Sequence, residues 1–204
     1  MKDANPNNYC DFEVSLPIEA VFENLISISE KLSGRRIALN APADESALDK
    51  FEELVANPLP EEYRKLYRLA DGQISGDGIL PIFHDGFEFI SLSDATYQWN
   101  SLKELWQTEP GFRIFEEYQG AVNGYWWSLQ WIPFGYVCSG DLVCTDLDPT
   151  PLGATGQVVE FIHDDADRPH LGLRISSYLG RLAHEIESGQ AIYNTEYGCF
   201  DRES

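Results

Sequence analysis

The residues of this chain with chemical potential are carboxylates and imidazoles in its second half. Asp141, Asp146 and Asp148 are followed by His163, Asp164, Asp165, Asp167 and His170. Such groups can ligate a hard cation or serve as general acid and base. Their spacing matches neither use. A calcium loop needs alternating acids, a central glycine and a distal glutamate, which HDDADRPH lacks. Nucleophilic catalysis is no better served. There is no G-x-S-x-G elbow, and the serine turn Cys138-Ser139-Gly140-Asp141 has no assigned base or oxyanion donor. The glycines of GQISGDGIL, beside Asp77, lack the G-K-[ST] of a phosphate cradle and suit a turn. Cys10, Cys138, Cys144 and Cys199 are scattered without a C-x-x-C pair, so neither a zinc knuckle nor a redox dithiol is indicated. They read as reduced, inert thiols, with Cys144 a small hydrophobe in a strand. The sequence therefore predicts no metal, no cofactor and no catalytic centre. It leaves 163–170 as a solvated acidic loop that also suits a protein partner.

Charge points the same way. The chain has 34 Asp and Glu against 14 Lys and Arg, a formal net charge of −20. That field repels nucleic acid and anionic membrane surfaces and draws in a basic protein. Acidity also serves solubility alone, and both readings stand. No apolar run approaches the roughly 20 residues of a membrane span, and MKDANPNNYCDFEV has no apolar signal core, so a cytoplasmic protein is expected. A hydrophobic share of 43% with 13% aromatics supplies one substantial core, and no linker-like stretch divides it.

These groups must be positioned by elements that the hydrophobic spacing outlines. Pro17 opens a helix with Ile18, Val21, Phe22, Leu25, Ile26 and Leu32 on its stripe and Gly34 at its end. A second helix runs over Ala43 to Val55, with Leu48, Phe51, Leu54 and Val55 on one face. Pro60 starts a third, striped by Tyr63, Leu66, Tyr67 and Ala70, with Gly72 as its left-handed stop. The run ILPIFHDGFEFISL then predicts two short paired strands about Asp85-Gly86. Ser93 caps a helix with Trp99, Leu102 and Trp106, closed by Pro110 and Gly111. A strand ends near Pro133, and strands follow at Asp141 to Leu147 and Gln157 to Ile162, with Gly153 and Gly156 in the turn. The last helix places Ile175, Tyr178, Leu179, Leu182, Ala183 and Ile186 on one face and stops at Gly189. Helices gathered at the start and strands in the middle predict an α+β fold, a central mostly antiparallel sheet with helices packed on one side.

Several blocks of this pattern strongly resemble the SUKH superfamily, in its Smi/Knr-like branch. They are the helix with Leu59, Pro60 and Tyr63 ending in Asp71-Gly72, then Trp131-Ile132-Pro133, then Gly140-Asp141 with Asp146, then Gly156 and Val158. Each block is weak alone; their order and co-occurrence make the signal. The resemblance divides the chain into a leader and helix at 1–38, the Smi/Knr-like domain at 39–190 and a tail at 191–204. It does not extend to the leader or to the expanded stretch between Trp99 and Trp131. It implies no enzymatic activity, and in bacteria an immunity role against a delivered toxin. Fungal relatives imply an alternative, a scaffold that regulates cell-wall synthesis through protein contacts.

On this reading the motif residues hold the fold, and function lies on the surface. Asp71 accepts hydrogen bonds from the turn it enters, Gly140 permits a close approach, and Asp141 satisfies loop amides. The expected contact residues for a basic protein partner are Asp77, Asp85, Asp148, Asp164, Asp165 and Asp167. Strand alternation puts Trp127 and Trp131 in the core, and Trp126, with Tyr125, partly exposed at the partner surface.

Overall fold

The computed structural model describes residues 12–109 and 120–202. Helix α1 (Ile18–Ser33) follows Pro17 and ends at Gly34, whose φ of 65° supplies the left-handed cap. Ile18, Val21, Phe22 and Leu25 are buried, but Leu32 is exposed, contrary to expectation. Its neighbours Lys31, Gly34 and Arg35 are exposed too, so the last turn projects beyond the core although the helical phase is kept. In α2 (Glu45–Val55), Asp44 caps the helix by accepting from the Ala47 N–H. Leu48, Phe51 and Val55 are buried.

Helix α3 (Glu61–Leu69) packs Tyr63, Leu66 and Tyr67 fully into the core. Their rings are anchored by their hydroxyls: Tyr63 donates to the Pro133 carbonyl at 2.8 Å and Tyr67 to the Ile90 carbonyl at 2.9 Å. The helix stops at Leu69 with Ala70 extended, so Gly72 is not its cap. Gly72 does take a left-handed φ of 77°, for a different reason: a Cβ there would lie 2.5 Å from the Ser91 nitrogen and 2.6 Å from the Ile90 carbonyl carbon.

The expected hairpin over 79–92 does not form. Asp85 and Gly86 are both left-handed inside a 3-10 turn, His84–Gly86, and only the second arm becomes a strand, β1 (Glu88–Phe89). The reason is Gln73. Its Oε1 accepts from the Ile82 and Phe89 N–H groups and its Nε2 donates to the Leu80 carbonyl, replacing the ladder between the arms. β1 then pairs with the later strand β2 (Trp131–Tyr136). Between them, α4 (Leu92–Thr108) is capped by Ser91 and not by Ser93: the Ser91 hydroxyl accepts from the Asp94 N–H. Asp71 accepts from the Leu92 N–H at 2.7 Å and closes the same turn. Pro110 and Gly111 lie outside the described residues.

β2 continues through Pro133, with an irregularity before Gly135, and pairs antiparallel with β3 (Leu142–Asp146). β1 reaches only Gly135 and Tyr136, so on that side Pro133 has no strand to bond. β4 (Gln157–Phe161) and β5 (His170–Gly172) complete an antiparallel sheet in the order β1-β2-β3-β4-β5. Helix α5 (Ile175–Ser188) ends at left-handed Gly189. Residues 191–202, for which the sequence suggests no element, form a hairpin of β6 (Ala191–Asn194) and β7 (Cys199–Arg202). One contiguous core runs from Ile18 to Phe200.

Trp131, Asp146 and Gln157 are direct cross-strand partners and share one face of the sheet, together with Leu142 and Phe161. The opposite face turns Gly135 and Val143 towards Phe83, which packs on Tyr178 of α5. Helix α1 packs behind α5. The Phe161 face meets the irregular stretch before β2, where Trp126 and Trp127 both stand edge-on to the Phe161 ring. Trp126 is only 9% exposed, so its expected place on the surface is wrong. The residues before Trp131 are not a strand, strand alternation does not apply to them, and the Trp126 indole donates to the His163 carbonyl.

Candidate functional site

The turn from β2 to β3 organises one end of the sheet. Asp141, just before β3, accepts from both the backbone N–H (2.9 Å) and the ring Nδ1 (2.8 Å) of His163, and from the Ser139 hydroxyl. Burial opposes the charge, but these bonds outweigh it and hold the Asp141 carboxyl below its ordinary range. The exposed His163 ring is raised in turn by its bond to Asp141. Gly140, at φ 108°, leaves the space that the ring fills; a Cβ would sit 3.5 Å from it. Chemically this is a brace. Ser139 and His163 flank Asp141 from opposite sides, so the imidazole is not on the serine and no nucleophile is activated. Asp141, His163 and Asp164 do bring one ligand atom each within 4.8 Å, but the Asp141 oxygens are already committed to His163 and Ser139.

Beyond His163 the loop to β5 exposes Asp164, Asp165 and Asp167. It is held from beneath by Arg168, whose side chain is buried. The guanidinium donates to the carbonyls of Ile162, Asp165, Asp167 and Trp126, and lies 4.9 Å over the Phe161 ring. The positive charge is thus spent inward on carbonyl dipoles, and the three carboxylates face water. His170 is buried against the Gly172 carbonyl.

On the other flank, a groove of about 550 Å³ runs between the 81–88 segment, the β2–β3 turn and the β6–β7 hairpin. Asp85, Glu88 and Asp201 line it with Tyr136, Tyr197 and Cys138. Asp85 pairs loosely with Arg202, at 3.7 Å. Between the flanks lies Glu160, which burial pushes up to about 7; Arg202 counters this, while Asp85 and Asp141 both add to it. Both flanks therefore act on one side chain. Behind it, Arg202 also approaches Glu185 of α5, which Arg181 contacts at 2.6 Å and the His84 ring at 3.2 Å. Burial opposes ionisation, yet His84 and the two arginines hold Glu185 down to about 2. This network fastens the hairpin to α5 and to the 84–86 turn.

Of the expected contact residues, Asp85, Asp164, Asp165 and Asp167 meet at this end. Asp148 lies at the other end of β3, and Asp77 sits in an exposed turn whose Gly78 abuts Arg35. Glu88, Asp201 and Tyr197 were not singled out by sequence reasoning. The alternation of AIYN and CFDR about Thr195-Glu196-Tyr197-Gly198 is the signal that identifies their hairpin. Among the described residues, Cys138, Cys144 and Cys199 are free. Burial pushes the Cys144 thiol well up, and burial with Asp201 pushes Cys199 up to about 12, which suppresses thiolate chemistry. No helix among the described residues is long and apolar enough to cross a membrane.

A family model described as SMI1 / KNR4 family (SUKH-1) matches residues 42–181. A comparison with curated proteins gives no match. The matched span includes the Asp141 brace and the acidic loop; Tyr197 and Asp201 of the hairpin lie beyond it.

Proposed function

The chain belongs to the SMI1 / KNR4 family (SUKH-1), and from that premise we propose that it is a non-enzymatic protein-binding domain, an immunity protein that covers a basic toxin domain. The observation that supports this most is the gathering of outward carboxylates at one end of the sheet. Asp85, Asp164, Asp165, Asp167 and Asp201 converge there on a groove with tyrosines in its wall. The nearest positive charges are engaged elsewhere: Arg168 with carbonyls, Arg202 with Asp85 and Glu185. Such a face steers a basic partner and speeds its association at low salt.

The test is co-expression with the products of neighbouring genes, a protection assay, and affinity measured for the partner found. Reversing Asp164, Asp165 and Asp167 to lysine should slow association and flatten its salt dependence. Unchanged affinity at low salt would remove this face from the interface. A partner among wall-synthesis proteins, with no toxicity to neutralise, would favour the regulatory scaffold instead.

A further inference from the structure

The opposite end of the sheet holds a second feature, which does not rest on the role of the acidic end. Helix α4 and the stretch before β2 leave a pocket of about 310 Å³ lined by Trp106, Tyr125, Trp127, Leu129 and Asp148. Its walls are rigid. Trp127 is fully buried, edge-on to both Trp131 and Phe161. Asp148 is pinned through its backbone, its N–H donating to the Asp146 carboxylate at 2.9 Å and its carbonyl accepting from the Asn123 amide at 2.6 Å. The Asp148 carboxylate itself is exposed and meets no cation among the described residues. Trp106 and Tyr125 are part-buried, so their rings border solvent.

Two requirements follow for whatever fills this space. Aromatic faces attract positive charge, and a fixed carboxylate beside them attracts it again. The same helix face already makes such a pair, since Lys103 holds its ammonium 4.8 Å above the Trp99 ring. Anions are disfavoured by Asp148 and by the net charge of −20. A neutral ring would satisfy the aromatic walls and leave the carboxylate without a counter-charge. Trp127 adds one more condition: its buried indole N–H has no acceptor, a donor that a ligand carbonyl can complete.

We propose that this pocket binds a cationic side chain, a guanidinium or ammonium on an apolar stem, with Asp148 as counter-charge and Trp106 and Tyr125 as ring faces. The probes are N-acetyl-arginine amide and N-acetyl-lysine amide, with N-acetyl-citrulline amide as the neutral isostere. They are titrated into the full chain while the indole N–H signals of Trp106 and Trp127 are followed by NMR. Arginine and lysine should give saturable shifts, weakened by added salt, with citrulline weaker by about fivefold or more. Asp148→Asn, which alters no core contact, should weaken arginine binding about three- to fivefold with an unchanged unfolding midpoint. Tyr125→Ala should weaken it by about threefold or more. Shifts that do not saturate, an equal response to citrulline, or full affinity in Asp148→Asn would each overturn the assignment.

Discussion

Asp146→Asn should remove a defined part of the pH dependence of stability. Asp146 is 0% exposed; it accepts from the Asp148 N–H and from the Gln157 amide, at 2.9 and 2.8 Å. Burial nevertheless dominates and raises its carboxyl from 3.8 to about 6. The folded chain therefore binds a proton here more tightly than the unfolded chain. That contribution is fully present below pH 3.8 and is lost as pH rises through about 6. At about 1.4 kcal/mol per tenfold change in proton affinity, the full effect is about 3 kcal/mol. Roughly 2 kcal/mol of it falls between about pH 4.5 and about pH 7.5. An asparagine cannot titrate. It also presents an amide donor to a donor, because Gln157 is fixed by the Ala154 N–H and the Ala121 carbonyl and cannot turn over. That adds an offset of about 1–3 kcal/mol at every pH. Glu160, raised to about 7, titrates in both chains and cancels in the difference. Urea unfolding of both chains at the two pH values measures the effect. Wild type should lose about 2 kcal/mol relative to the variant on going from the acidic to the alkaline condition. A gap independent of pH would refute the argument that burial governs this carboxyl.

Gly72→Ala should cost about 3 kcal/mol or more and lower the thermal midpoint, since both the φ of 77° and the approach of Ser91 exclude a Cβ. Tyr63→Phe leaves the Pro133 carbonyl without its buried donor and should cost about 1–3 kcal/mol in urea unfolding, with packing otherwise kept. Glu185→Gln strips the counter-charge from Arg181 and should cost about 3 kcal/mol or more at neutral pH. Because Glu185 sits near 2 when folded, against 4.5 ordinarily, its contribution is present above pH 4.5 and lost as pH falls towards 2. The gap to the variant should close in that window, as read from acid unfolding.

The helices were legible because their signals are local. Pro17, Pro60, Gly34 and Gly189 punctuate them, and stripes such as Tyr63-Leu66-Tyr67 have one spacing wherever they occur. The motif residues also read correctly as fold-bearing: Asp71 closes α4, and Asp141 satisfies the His163 amide. The 79–92 hairpin failed because its hydrogen bonds were claimed by a side chain six residues upstream of Ile79, a competition no local pattern displays. Trp126 failed through the assumption that strand period extends back from Trp131. The gathering of Asp85 with Asp164, Asp165 and Asp167 was invisible because it depends on β1 pairing with β2 across the whole of α4. Their acidic character was plain; their adjacency is topological.

The outer strands of the sheet are two residues long on one side and three on the other. A strand that short offers too little backbone for another chain to zip onto, so neither border is a template for stacking copies or for an added peptide strand. Recognition must then be written in side chains at the ends of the sheet. Such an interface can be retuned by single substitutions in loops, while the framework beneath them stays unaltered.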